Sequence, residues 1–515
     1  MKVKLARIAA LLLCVMLTAV LVGCSATQPA ETNSGSPAAT TATAPTGSIT
    51  VEFPATQSTP KYIFLFIGDG MSFAQVHAAQ IYMGASAGEI SQWPLCFTQF
   101  PCTGSATTYD AESFIPDSAA AGTAMSCGIK TKAHVLGMEA DEETPVTNIT
   151  EMLKADGKKI GIVTSVTLNH ATPAAFYAHI PSRTQYYDIA CQMAESGVDY
   201  FGGGSLSEPR GSKNDQTDAF TLLQNNGYVI ADTAQEIEAL DSSSGKAYAI
   251  SPQPDSTGTL PYAIDAQQED MTLADFVRTG IRVIDNDNGF FMMCEGGQID
   301  WACHSNDAAA AVKEVMAFAD AVQAAVDFAM QHPDETLIIV TGDHETGGMT
   351  LGNTAGEYSV HFDMLGAQRM SYRAFGTAFT EMRKDNPNLT LEDMLPFIRD
   401  NFGLAAPGSA ADNAGTAYVM TDAEYAQLKT AFAESMKPKA QRTDTEETRL
   451  LYGGYDPLTV TITHILDNKA GVGWTSFVHT AAPVPVYAMG AGSQLFVGSY
   501  DNTDIFDKLV AACGL

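Results

Sequence analysis

The chain has 515 residues, 45% of them hydrophobic, a mean hydropathy of −0.01 and a formal net charge of −31. That length suits one large domain or two ordinary ones, and a hydropathy near zero excludes a polytopic membrane protein. The negative charge argues against nucleic-acid binding, because phosphate backbones select basic faces, and it repels anionic substrates unless bound cations reverse the local field.

At the N-terminus, Lys2, Lys4 and Arg7 precede an apolar run, Ile8 to Val22, that is short for a membrane span. The run ends Leu21-Val22-Gly23-Cys24, which resembles the lipobox of bacterial lipoproteins. The expectation is a signal peptide over 1–23, with Cys24 acylated and holding the mature chain to a membrane outside the cytoplasm. An ordinary secretory signal or a short anchor is the alternative. Residues 25–60 are rich in Ala, Thr, Ser, Gly and Pro with no hydrophobic period, a composition that cannot bury enough surface to fold. With Cys24 they read as a tether.

Folded sequence begins at Lys61 to Ile67, a continuous apolar run of the kind found in central parallel strands, and stops at Gly68-Asp69-Gly70. A helix is expected from Ser72. Further strand-like runs are Lys159 to Val166, Val198 to Phe201, Tyr228 to Ile230, Gly289 to Cys294, Thr336 to Thr341 and Val484 to Met489. Helical stretches lie between them: Thr184 to Ser196, Met271 to Asp285, Asp307 to Gln331 and Asp504 to Ala512. Such alternation predicts an α/β domain over 61–515, a three-layer sandwich with a mostly parallel central sheet and helices on both faces. From Asn353 to Asn468 the pattern changes to helical pieces, Pro-Gly breaks and a charged run, which reads as a cap or interface insertion before the last strands. Of nine cysteines, seven follow Cys24, and no CxxC motif occurs, so this is not a disulfide framework. Cys96 and Cys102 could close a small loop or stay free.

Chemistry-bearing residues gather where apolar runs end. Glu295 closes the strand at Gly289 to Cys294; Gly296-Gly297 breaks it; Asp300 and His304, four apart, share a helical face and can hold one divalent metal. A strand, a turn and a capped helix would give the same letters. Asp343-His344 follows another buried run within Thr-Gly-Asp-His-Glu-Thr-Gly-Gly, a pattern open to a metal or to a surface turn. Asp69, His479 and Asn169-His170-Ala171-Thr172-Pro173 are weak singly. Pro116-Asp117-Ser118 starts a helix of very small side chains. It is either a tightly packed helix or one whose N-terminal N–H groups favour an anion and a serine alkoxide at Ser118.

Taken together, Gly68-Asp69-Gly70-Met71, Asp117 to Thr123, His170-Ala171-Thr172-Pro173, Arg183, Glu295 to Asp300, His304, Thr341 to Gly348 and His479-Thr480 resemble the alkaline phosphatase family, in the family's order. The resemblance covers about 61–352 and 470–515. It implies two zinc ions and one magnesium. Asp300, His304 and His479 would hold one zinc, and Asp343, His344 and Asp69 the other. Asp69 would bridge to magnesium, with Thr172 and Glu295 as its further ligands. Ser118 would become phosphoserine, Arg183 would grip two phosphate oxygens, and Asp117 would orient it. His170, which stands where some bacterial members have Asp, would lie beside the magnesium site. Trp301, which stands where they have Lys, would remove a positive charge near the phosphate and add a flat apolar wall. The implied activity is hydrolysis of small phosphate monoesters with broad specificity, scavenging phosphate outside the cytoplasm, without nucleic-acid binding. A homodimer is the candidate assembly. A phosphodiesterase of the same superfamily and a non-catalytic phosphate- or metal-binding lipoprotein are the competing readings. Arg183 and Glu295 argue against the first, and Ser118 with its full ligand set argues against the second.

Overall fold

The computed structural model describes residues 58–515 except 355, 357 and 410–417; the leader, Cys24 and most of the tether lie outside the described residues. Ten strands form one sheet. Numbered in chain order they are β1 (Tyr62–Gly68), β2 (Cys102–Thr107), β3 (Lys159–Thr164), β4 (Tyr200–Gly203), β5 (Tyr228–Ala231), β6 (Lys246–Ile250), β7 (Phe290–Gly296), β8 (Thr336–Gly342), β9 (Val484–Gly490) and β10 (Gly498–Asp501). Their spatial order is β10-β2-β9-β8-β1-β7-β3-β4-β6-β5, and β9 alone runs against its neighbours.

The central strands β1, β7 and β8 are buried along their whole length, which is why they read as unbroken apolar runs rather than as alternation. Alternate side chains still go to opposite faces. Tyr62, Phe64 and Phe66 enter one core, whereas Ile63, Leu65 and Ile67 enter the other. The first core is closed by helices Phe73–Ser86, Leu273–Ile284 and Ala308–Ala329, the second by Ser118–Cys127, Ile149–Ala155, Tyr186–Glu195 and Thr503–Cys513. The result is the three-layer α/β sandwich expected from the alternation.

Three strands of this sheet escaped the sequence reading. β2, with the sequence CTGSAT, has little apolar character, yet it lies between β9 and β10. A Cβ at its Gly104 would stand 2.5 Å from the Phe496 carbonyl oxygen, so close approach selects glycine over a β-forming residue there. β6 and β10 are short and follow turn-rich stretches. The segment between β8 and β9 is mainly helical, with Tyr372–Asp385, Leu391–Phe402, Asp422–Ser435, Glu446–Tyr452 and Pro457–Ala470. Phe375, Met394, Leu428 and Ile462 from these helices join the same apolar cluster as Phe64 and Phe66. Cys96 and Cys102 do not pair, and all seven described cysteines are free thiols. Among the described residues no helix is long and apolar enough to cross a membrane.

Register places the chemistry. Gly68 of β1 is level with Gly296 of β7 and with Gly342 of β8, and Thr164 of β3 is level with Glu295. Asp69, Glu295 and Asp343 therefore leave the sheet side by side at its carboxyl edge, where open α/β sheets bind ligands.

Candidate active site

The helix Gln298–His304 starts directly after β7 and carries Asp300 and His304 on one face. Asp300 Oδ2 is 3.3 Å from His304 Nε2, and His479 Nε2 lies 3.1 Å from the same nitrogen. His304 Nδ1 is 2.6 Å from the Phe477 carbonyl and His479 Nδ1 is 2.7 Å from the Pro116 carbonyl. A carbonyl only accepts, so each Nδ1 carries a proton, and both Nε2 atoms are left facing each other and Asp300. Two such nitrogens at contact distance need a cation or a proton between them.

His479 stacks on His344 with ring centroids 3.5 Å apart, which brings the second group alongside the first. Around His344 Nε2 stand Asp343 Oδ2 at 3.1 Å, Ser118 Oγ at 3.3 Å and Asp69 Oδ1 at 3.5 Å. The turn bearing Asp343 is tied to the turn bearing Asp69, because Gly70 N–H donates to Asp343 Oδ1 at 3.0 Å. The remaining oxygens form a third group. Thr172 Oγ1 donates to Asp69 Oδ2 at 3.1 Å, and Thr164 Oγ1 donates to Glu295 Oε2. Asp69, Glu295 and His170 have ligand-type atoms within 4.8 Å of one another.

Four carboxylates, Asp69, Glu295, Asp300 and Asp343, are buried together. Burial, then repulsion from Asp343 and Asp300, raises Asp69 well above the ordinary carboxylate range. Burial likewise raises Asp343, and it pushes Glu295 up to about 7. Asp300 is the exception: burial opposes its charge, but His304 and the two other imidazoles outweigh it and hold it low. His304 answers in kind, reaching about 9 because Asp300 overcomes its burial. His344 is pushed well below its usual value by burial and by His479. This much unmatched negative charge is a cation site by construction.

A direct test of fit lies in the orphaned atoms. Asp69 Oδ1, Asp343 Oδ2 and Glu295 Oε1 are buried acceptors with no hydrogen-bond partner. Buried acceptors of this kind are costly unless something completes them. Two nitrogen-and-carboxylate groups suit zinc, and an oxygen set of Asp69, Thr172 and Glu295 suits magnesium. His170 is not counted among the ligands. Arg183 Nη2 lies 3.2 Å from His170 Nε2 and can only donate, so the proton of the neutral ring sits on Nδ1 and neither nitrogen offers a free lone pair. Burial, then the Arg183 charge, lowers His170 to about 3, which keeps the ring neutral.

Ser118 is the first residue of the helix Ser118–Cys127, every residue of which is buried. Small side chains allow that packing; a Cβ at Gly122 would stand 2.9 Å from Ala175 Cβ. Asp117 caps the helix through Oδ1, which accepts from Ala120 N–H at 3.0 Å. Its Oδ2 takes Arg183 Nη1 at 2.9 Å. Burial works against the Asp117 charge, but Arg183 and the backbone donors hold it below the usual range. One carboxylate thus starts the helix at Ser118 and fixes the guanidinium beside it.

The structure brings every sequence-singled residue of the site into this one region, and it adds others. Thr346 Oγ1 donates to Asp300 Oδ1 at 2.5 Å; it lay inside the Thr341 to Gly348 motif, two residues from His344, without a role. Trp301 forms a flat wall edge-on to His170, with ring centroids 5.7 Å apart. Arg373 of the helix Tyr372–Asp385, its own charge matched by Asp255, lies 4.8 Å from the Trp301 ring centre. Nothing in the sequence signals that pairing across 72 residues.

Comparison with known proteins agrees with this geometry. The sequence model of the family Alkaline phosphatase matches residues 60–515. The chain is 30% identical to Alkaline phosphatase 3 of Bacillus subtilis, covering 88% of each chain. It is similar in structure to a cold-active alkaline phosphatase of Shewanella sp., with TM-score 0.71 and 28% identity over 88% of this chain and 99% of that one. An alkaline phosphatase of Thermus thermophilus gives TM-score 0.72 at 26% identity, over 92% and 96%. With a buried cation site, a serine at a helix start and this match along the folded chain, the protein is a metal-dependent phosphoric monoester hydrolase and belongs to the alkaline phosphatase family.

Proposed function

We propose that the chain hydrolyses phosphate monoesters through a phosphoserine on Ser118, with broad specificity, and that it serves phosphate scavenging outside the cytoplasm. One observation carries the reading: Ser118 Oγ stands at the first turn of a buried helix, 3.3 Å from His344 Nε2, beside an arginine that Asp117 holds in place. Asp300, His304 and His479 would hold one zinc, Asp343, His344 and Asp69 a second, and Asp69, Thr172 and Glu295 a magnesium. Bound there, the cations would offset the charge of a dianionic ester and make the attacking and leaving oxygens better anions. A relative from the Antarctic bacterium TAB5, 26% identical with TM-score 0.60, has a histidine-substituted form described with Mg in its M3 site, which supports a third site in kind.

The chain's own groups do the rest. Ser118 Oγ, helped by the N–H groups at the start of its helix, loses its proton to solvent and attacks phosphorus as the P–O bond to the alcohol breaks and the departing alkoxide takes up a proton. Water then attacks phosphorus, breaking the Ser118 O–P bond and releasing inorganic phosphate and the serine hydroxyl. Arg183 presents a planar fork to two non-bridging oxygens, a geometry that suits a doubly charged monoester better than a diester. Neutral His170 steadies that fork by accepting from Nη2. Cys24, as the first residue after the leader, would tether the enzyme to the membrane through acyl chains. Mass spectrometry of the mature N-terminus checks this, and an unmodified terminus downstream of Cys24 would contradict it.

The kinetic test uses an aryl phosphate and its methyl diester. Arg183→Ala should lower monoester kcat/KM about 10- to 1,000-fold, as for one or two charge-assisted hydrogen bonds, and affect the diester much less. A wild type that prefers the diester, or a variant impaired equally on both, would refute the monoesterase reading.

A further inference from the structure

A cavity of about 350 Å³ opens beside the site, lined by Thr257, Trp301, His304, Tyr372, Arg373 and Tyr455. It meets the reactive cluster at His304 and does not touch Ser118. Between those two residues stand His479, 3.1 Å from His304, and His344, 3.3 Å from Ser118. In an in-line displacement the departing oxygen lies opposite the attacking one. A cavity reached through His304 therefore lies on the leaving-group side.

Its walls are flat. Trp301 lies three residues before His304 on the same helix and shares its face. Tyr372 and Tyr455 meet edge to face with centroids 6.2 Å apart. The Arg373 guanidinium lies 4.8 Å from the Trp301 ring centre and 5.0 Å from that of Tyr262. Arg373 is already matched in charge, since Nη1 pairs with Asp255 and also donates to Thr257 Oγ1 at 3.1 Å. What the cavity offers is planar surface rather than free charge.

The walls are also held rigidly. Tyr372 N–H donates to Asp307 Oδ2 at 2.8 Å, and Ser371 N–H donates to Asp265 Oδ1 at 2.8 Å. Asp307 also caps the long helix Ala308–Ala329 through Ala310 N–H, so the segment bearing Tyr372 is fastened to the element that follows His304. Preorganised aromatic walls select ligands that stack without reordering anything. A cavity of this size lies within the ordinary range for small-molecule sites, roughly 300–1,000 Å³.

We infer that this cavity is a leaving-group subsite, in which Trp301, Tyr372, Tyr455 and the Arg373 plane favour phosphate monoesters of planar aromatic alcohols, aryl or nucleoside, over those of aliphatic alcohols. The inference rests on the monoesterase reading and adds to it a substrate preference carried by the segment between β8 and β9.

The experiment measures kcat/KM for phenyl phosphate, adenosine 5′-monophosphate and ethyl phosphate on wild type, Trp301→Leu and Tyr455→Leu. Intrinsic reactivity differs among the esters but is common to all three proteins, so the ratio of each aromatic ester to ethyl phosphate isolates the subsite. In each variant that ratio should fall about 3- to 10-fold, the size of one lost aromatic contact. A fall for phenyl phosphate alone assigns the subsite to aryl alcohols, and a fall for adenosine 5′-monophosphate alone assigns it to nucleosides. A fall for both assigns it to planarity. Should Trp301→Leu not fold, Tyr455→Leu carries the test. Ratios unchanged in the folded variants overturn the subsite even if absolute rates drop. Absence of turnover of all three esters in wild type would instead count against the monoesterase reading.

Discussion

Gly342 ends β8 directly before Asp343, and no side chain fits there. A Cβ on it would lie 2.1 Å from the Met71 carbonyl oxygen, where ordinary contact begins at 3.4 Å. The obstacle is backbone, so Gly342→Ala must push the two turns apart by about 1.3 Å, the gap between those distances. Those turns carry Asp69 and Asp343, which the Gly70 N–H to Asp343 bond ties together, and both carboxylates face His344 Nε2. Overpacking of this kind costs about 1–3 kcal/mol of stability. A displacement on the order of 1 Å at a catalytic centre costs about 100-fold in rate. The expected outcome is therefore a folded protein with depleted metal and kcat/KM down by about two orders of magnitude, read by elemental analysis and aryl phosphate kinetics. Gly376→Ala is the control: it lies inside the helix Tyr372–Asp385, with its nearest neighbour, Thr459 Oγ1, at 3.9 Å. That change should stabilise by about 0.5–1 kcal/mol and leave turnover alone. Wild-type metal content and turnover in Gly342→Ala would show that the contact between the two turns does not position the ligands.

Other expectations follow from the same geometry. In metal-free protein, His304 (about 9) keeps a proton that an unfolded histidine has largely released by pH 7, so stability should fall between pH 7 and 9, above the range in which Glu295 (about 7) loses most of its share. Zinc with magnesium should abolish that slope, and a metal-free protein whose denaturant midpoint is flat or rises across this window contradicts the pairing of His304 with Asp300. Asp117→Ala should lose about 1 kcal/mol of helix capping along with the grip on Arg183, whereas Asp117→Asn keeps a capping oxygen and should lose only the latter. Equal destabilisation of the two variants in urea titrations would separate the cap from Asp117. Glu295→Ala should lose magnesium and keep zinc with partial activity, while Asp343→Ala should lose zinc and nearly all activity; equal zinc loss from both would contradict the division of the groups.

Much of this was legible in the sequence because the chemistry sits where buried strands end. Continuous apolar runs announced β1, β7 and β8, and Asp69, Glu295 and Asp343 are the residues at or just beyond their carboxyl ends. Helical spacing announced the shared face of Asp300 and His304. Strand β2 was illegible because its fit depends on close backbone approach at Gly104, and small residues carry no period. Thr346 and Thr164 were illegible because a threonine that orients a carboxylate looks like any other threonine until the distance is known. The Arg373–Trp301 contact was beyond reach for a different reason: it joins two helices through tertiary packing, and no local pattern encodes which face the segment after β8 turns toward the site.

The central claim is that turnover passes through Ser118. Acid quenching of the metal-loaded enzyme during hydrolysis of an aryl phosphate, followed by peptide mass spectrometry, tests it most directly. The account predicts a phosphate adduct on the peptide carrying Ser118 in wild type and none in Ser118→Ala, which should also have lost nearly all activity. An adduct on another residue, or a Ser118→Ala enzyme that still turns over at the wild-type rate, would contradict it.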